Sequence, residues 1–429
     1  MTLPRATVLT SPETTTAEPR TSPVAGPGGV TAGLLVVLAL LSVIAPFATD
    51  LYLPAFPAMT GDLDTSATGV QFTLTSFLVG VALGQLVFGP LSDKFGRKGP
   101  LVVGAVICVV ASIAAMVAPT VGVLVAARFV QGASGAAGMV IGRAIISDLA
   151  TGKAAARAFS LTMIVGGVAP VLAPVIGSVL VAPIGWRGIL GVVAAIATIM
   201  LTAVLLVVRE SHTRERRAEI RDSVADTARP TAALRSRVYL GNTFAFAFAF
   251  AVLMAYISAS PFLYQTMMGL TTVEYGLLFG ANALALTVVS GVSAKLSSTR
   301  SVSMLLGLGL GLVLLASIAM AALVVAGVPP LWLAVPLFVA VASLGLVLGN
   351  ATSLALAAVP RSAGLGSAVL GALQFGLGAA VSPLVGIGGE DTALPLAIIM
   401  VSAALIAVCA FVVGNRRARS RSEVAPLQE

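Results

Sequence analysis

Gly89-Pro-Leu-Ser-Asp-Lys-Phe-Gly-Arg-Lys98 is a short charged turn between two long apolar stretches. Before it, Val70–Leu91 is apolar for long enough to cross a bilayer as a helix, and after it Pro100–Ala118 is as well. Inside the turn, Gly96 permits a tight reversal, and Gly89 offers a place for close helix approach. Asp93 stands four residues before Arg97, a spacing that lets the two form a switchable ion pair.

The same alternation of apolar span and short polar turn repeats in both directions. Spans of roughly 20 residues, the length a membrane helix needs, are expected at Thr31–Leu53, Val70–Leu91, Pro100–Ala118, Val121–Ile145, Ala158–Val181 and Gly188–Val208. A polar linker, Arg209–Arg237, interrupts the series. Six more spans follow at Tyr239–Leu263, Tyr275–Ala294, Val302–Ala326, Leu331–Leu348, Gly366–Ile387 and Ala393–Val413. Phe and Ala alternate like a strand over Phe244–Phe250, but the length of the surrounding apolar run favours a helix. The expected architecture is therefore an all-α integral membrane protein of twelve transmembrane helices in two six-helix halves, 31–208 and 238–414. Residues 1–30, rich in Thr, Pro, Ser and Gly, read as a disordered cytoplasmic tail with no cleavable signal peptide, and 415–429 as a basic cytoplasmic tail.

Composition agrees with this reading. Hydrophobic residues make up 58% of the 429 and charged residues 10%, with a mean hydropathy of +1.04. Soluble domains carry about 45–50% apolar and about 25% charged residues. The solvent of this chain must be lipid.

The net charge of +8 does not signal nucleic acid. Lys94, Arg97, Lys98, Arg143, Lys153, Arg157, Lys295, Arg300 and Arg361 fall on one side of the membrane together with the arginine-rich linker and the C-terminal tail. Asp62, Asp64, Glu274, Glu390 and Asp391 fall on the other, where Arg187 is the lone basic residue. By the positive-inside rule both termini are expected in the cytoplasm.

Enzyme chemistry finds no constellation. His212 is the only histidine and lies in the linker, while Cys108 and Cys409 sit inside apolar runs as small buried residues. Neither a metal cluster nor a nucleophile with a base can be assembled, so no catalytic residue, metal or cofactor is expected.

Residues with a cost in lipid are the informative ones. Asp50 is the acidic residue lying inside an apolar span, and Arg128 is a basic one. Such groups face a cavity or a partner, or snorkel to the surface. Both lie in the outer half of the membrane and are placed to pair or share a network. Polar or aromatic residues within spans, the candidates for a substrate cavity, are Tyr52, Gln131, Tyr256, Asn282, Asn350 and Gln374. Each is equally suited to a helix–helix hydrogen bond.

The 89–98 turn resembles the signature of the major facilitator superfamily, G-x-L-x-D-[RK]-x-G-R-[RK], with Gly89, Asp93, Gly96 and Arg97 in register. The resemblance implies a latch between the halves that governs conformational exchange. Arg128-Phe-Val-Gln-Gly132 looks like the family's R-x-x-Q-G motif, whose arginine is tied to proton coupling. Gly166, Gly167, Pro170, Pro174 and Gly177 resemble the antiporter motif of exporters, which implies a bent fifth span packed tightly against the other half. Asp50-Leu-Tyr-Leu-Pro54, Arg143-Ala-Ile-Ile-Ser-Asp148, Tyr256-Ile-Ser-Ala-Ser-Pro261 and Gly371-Ala-Leu-Gln-Phe-Gly376 look like the Bcr/CflA drug-resistance transporters, a group that includes chloramphenicol exporters.

The function this implies is proton-driven efflux of small, mostly apolar molecules, phenicols among them, across the cytoplasmic membrane. Export of an endogenous amino acid or sugar is the alternative. Proton coupling is expected at Asp50 and Arg128. The implied partners are a small-molecule substrate, protons and the lipid bilayer, with no nucleic acid, and the implied state is a monomer energised by the proton gradient.

Overall fold

The computed structural model describes residues 31–150, 152–211, 234–360 and 363–422. The N-terminal tail, most of the arginine-rich linker and the end of the basic tail lie outside the described residues.

The described residues form helices and no strands. The first half comprises α1 (Ala32–Asp50), a short α2 (Phe56–Asp62), α3 (Ala67–Phe95), α4 (Lys98–Met116), α5 (Val121–Leu149) and α6 (Gly152–Val207). The second comprises α7 (Arg237–Pro261), α8 (Thr272–Leu296), α9 (Val302–Val325), α10 (Ala334–Ala357), α11 (Ala363–Val381) and α12 (Leu394–Ser422). Side-chain hydroxyls of Thr31, Ser66, Thr120, Ser236, Thr271 and Ser301 cap helix starts, which sharpens the boundaries that hydropathy leaves blurred.

Eleven helices among the described residues are long and apolar enough to cross a membrane. One of them, α6, is 56 residues long. At about 1.5 Å per residue it would extend roughly 84 Å, more than twice a bilayer's hydrocarbon core of about 30 Å. Gly185 interrupts it with φ 63° and ψ −179°, so two arms cross separately, giving the expected twelve spans. The first and last described helices therefore begin and end on one face, the terminal face, and the opposite one is the far face.

Two ends depart from expectation. The first span stops at Asp50 and continues as a 3-10 turn, Leu53–Ala55, because Pro54 and Pro57 cannot extend an α-helix from within. α7 runs on into a π-helical turn, Phe262–Met267, after Pro261. The alternating Phe/Ala segment is helical, with the Phe244 ring 6.5 Å from that of Phe248 and Phe246 stacked on Phe250 at 6.4 Å.

Large aliphatic side chains cover the outside. Leu206 is 81% exposed and Val325 79%, which only a lipid solvent makes favourable. Inside, α3 packs on α5 and α1 on α6, while the halves meet where α3 touches α11 and α6 touches α8.

Candidate functional site

A cavity of about 310 Å³ lies at the centre, between the halves. Pro46, Asp50 and Phe77 line it from the first half, and Phe250, Tyr256 and Gln374 from the second. Its wall is overwhelmingly apolar, and Asp50 is the only carboxylate in it. Asp50 is buried, with Thr49 Oγ1 donating to its Oδ1 at 2.9 Å. The ion pairs among the described residues do not include it.

Arg128 does not pair with Asp50. It is fully buried rather than snorkelling, donating to Gln131 Oε1 at 2.5 Å and to the Ala48 carbonyl at 2.7 Å. The rings of Tyr52 and Phe77 face its guanidinium at 4.4 and 4.5 Å. Ala48 is in the last turn of α1, where carbonyls lack helical partners, so Arg128 caps that helix end with a positive charge. Asp50 is two residues further on.

This arrangement sorts the six candidate cavity residues. Tyr256 and Gln374 line the cavity. Tyr52 and Gln131 instead build the cage around Arg128, with Gln131 Nε2 donating to Ser112 Oγ at 2.7 Å. Asn282 stands behind the wall, donating to the phenol oxygens of Tyr256 at 2.9 Å and Tyr264 at 3.0 Å. Asn350 joins α10 to α8 through Ser293 Oγ at 2.8 Å. Sequence position alone does not tell a helix–helix amide from a cavity amide, because both sit on buried faces.

The Gly/Pro motif of α6 divides similarly. Gly166, Gly167 and Pro170 line the cavity. Gly177 faces the Leu51 carbonyl of its own half so closely that no Cβ would fit. The tight packing expected against the other half comes instead from Gly276 and Gly280 of α8, which lie on the Pro174 carbonyl with Ser178 and on Val171 and Val175. Pro170 and Pro174 retain helical dihedrals, and Gly185 is the one residue inside α6 that does not.

Hydrogen bonds between the halves cluster at the far face. Gln71 Nε2 donates to the Ser258 carbonyl at 3.1 Å, and Gln265 Nε2 donates to the Pro54 carbonyl at 3.0 Å. Ser382 Oγ adds a longer contact to the Gln71 carbonyl at 3.5 Å. Among the described residues no hydrogen bond joins the halves toward the terminal face, so the cavity is held shut on the far side. Gln71 and Gln265 were not among the expected functional residues. Their signal in the sequence is an amide at the far end of an apolar span.

The 89–98 turn is a dense polar knot at the terminal face. Arg97 contacts Asp93 at 2.6 Å, Asp148 at 2.9 Å and Ser92 Oγ at 2.8 Å. Burial works against its charge, yet the hydrogen bonds and charges of Asp148 and Asp93 hold its pKa above the ordinary arginine value. Glu210 accepts from the backbone amides of Arg97 at 2.8 Å and Lys98 at 3.1 Å, a carboxylate on the unpaired amides that open α4. Gly96 has φ +96°, and a Cβ there would press on Glu210, so the glycine is required. Gly89 is not a point of close approach, its would-be Cβ meeting only Val140 at 3.8 Å. These bonds tie the 89–98 turn to the end of α5 and to the segment just after α6. Arg97→Ala is expected to slow transport several-fold while leaving substrate affinity near normal, because the knot lies away from the cavity. Equilibrium binding beside initial transport rates checks this, and lost affinity with unchanged turnover would refute it.

Residues 38–383 match the profile of the Major Facilitator Superfamily. The chain belongs to that superfamily. It is 34% identical over 381 residues to the uncharacterized MFS-type transporter YdgK of Bacillus subtilis, covering 88% of this chain and 94% of that protein. It is 30% identical over 380 residues to a bicyclomycin resistance protein homolog of Haemophilus influenzae, with the same coverage. That relative agrees with the resemblance of its motifs to Bcr/CflA drug-resistance transporters. The crystal structure of a D-xylose-proton symporter superposes with a TM-score of 0.71 at 15% identity, covering 87% of this chain and 96% of the symporter, a likeness of fold. This major facilitator protein is thus a multi-pass membrane transporter and not an enzyme.

Proposed function

We propose that this major facilitator protein exports small, mostly apolar molecules from the cytoplasm in exchange for protons. The observation that carries the reading is the central cavity, which is apolar on nearly all sides and holds one buried carboxylate, Asp50. Apolar walls with a few placed polar groups suit drug-like ligands, phenicols among them. Sugars or free amino acids would leave many polar groups without partners there. The name of the Haemophilus relative, a bicyclomycin resistance protein homolog, supports drug export. The basic residues of the terminal face support a cytoplasmic placement of both termini. A carboxylate inside a span is costly to leave charged, and a proton taken from outside neutralises it.

Cells expressing the protein are expected to accumulate less chloramphenicol than vector controls, with the difference abolished by a protonophore. Equal accumulation across a panel of drugs, together with altered secretion of amino acids or sugars in a deletion strain, would shift the reading to a metabolite exporter.

A further inference from the structure

Asp50 is the charged residue on the cavity wall, and Arg143 lies outside that wall, one helical turn beyond it. Asp50 supplies the negative group toward the far face, and Arg143 supplies a positive one toward the terminal face. Met139 lines the cavity, and Arg143 follows it by four residues on α5 with its Nε donating to the Met139 carbonyl at 3.0 Å. Positions i and i+4 share a helix face, so Arg143 continues, one turn nearer the terminal face, the face of α5 that brings Met139 to the cavity. Ile141, Gly142, Ile145 and Ile146 around it are buried, while Arg143 itself is exposed. Both ion pairs among the described residues belong to Arg97, so Arg143 has no carboxylate partner there. Arg128, the other basic group of α5, is sealed in its cage and presents nothing to a ligand.

The spacing follows from the packing. Gly142 lies against Leu38 and Leu41 of α1, and Asp50 is nine residues beyond Leu41. At about 1.5 Å per residue the two charges stand roughly 14 Å apart along the helix, a gap that the long arginine side chain can shorten. We infer that the cavity selects amphoteric substrates, with an anionic group on Arg143, a cationic or donor group on Asp50, and an apolar body between them. A guanidinium binds carboxylates through paired N–H donors and repels lipophilic cations at the mouth. The inference rests on the export reading and narrows its substrate class.

The test uses purified full-length protein and three forms of one flat apolar molecule. Ciprofloxacin carries a carboxylate and an ammonium at opposite ends, its methyl ester keeps only the ammonium, and its N-acetyl derivative keeps only the carboxylate. The wild-type protein is expected to bind the zwitterion about tenfold more tightly than the ester, the scale of one charge-assisted contact. Arg143→Gln should erase that difference by weakening the zwitterion and sparing the ester, and Arg143→Lys should keep part of it. Arg143 is exposed, so thermal unfolding should be unchanged in both variants. Equal wild-type affinity for acid and ester, or a preference that survives Arg143→Gln, would overturn the inference even if chloramphenicol export stands. If neither chloramphenicol nor any quinolone form is bound or exported, the export reading fails and the inference falls with it.

Discussion

Asp50→Asn should produce a transporter that still binds drug but no longer moves it uphill. Asp50 is the one carboxylate on the cavity wall, and its described partner is the neighbouring Thr49 hydroxyl, not a cation. A charged carboxylate in that setting has only a proton or a ligand to neutralise it. Asparagine keeps the shape and a hydrogen-bonding oxygen while removing the proton site. The binding step therefore survives and the coupling step does not. In proteoliposomes, an imposed proton gradient should drive drug uptake into inside-out vesicles by the wild type at least about tenfold faster than by the variant, an effect of about 1.4 kcal/mol or more. Downhill drug equilibration should persist. Uphill transport by Asp50→Asn that collapses with a protonophore would move the coupling carboxylate elsewhere.

The second large effect is expected at Arg128, by a different route from the one its motif suggests. Its guanidinium holds the Ala48 carbonyl and Gln131 and lies between the Tyr52 and Phe77 rings. It acts on Asp50 through the end of α1, not through direct pairing. Arg128→Ala leaves two buried acceptors without donors, at about 1–3 kcal/mol each, and loses two ring contacts of about 0.5–2 kcal/mol each. Removing a buried charge that has no counter-ion works in the opposite direction. Stability should change modestly, and transport should fall by at least about tenfold because the Asp50-bearing turn loses its anchor. Arg128→Lys should restore little, since a compact ammonium cannot reach two acceptors and two ring faces in one plane. Transport rates measured beside thermal unfolding separate the two effects. A variant that loses activity only because it unfolds would reduce Arg128 to a structural role.

Sequence alone determined the solvent, the number of crossings, the duplication and the superfamily. These depend on runs of apolar residues and on local spacing, which survive without knowledge of what packs on what. The turn at 89–98 could be read as an ion pair because Asp93 and Arg97 are four residues apart on one chain segment. Its other partners are Asp148 in the last turn of α5 and Glu210 just after α6, and no spacing announces them. The same limit explains the cavity. Tyr256 and Asn282 read alike as polar residues in apolar spans, yet one lines the cavity and the other supports it from behind. Arg128 and Asp50 read as a pair or as members of one network because both lie in the outer half of the membrane, and the fold aims the arginine at the end of the helix that carries Asp50. The far-face closure through Gln71 and Gln265 joins residues nearly 190 and over 210 positions apart. Hydropathy places a residue at a depth in the membrane, but only the packing of helices sets the direction in which its side chain points, and that direction decides its chemistry.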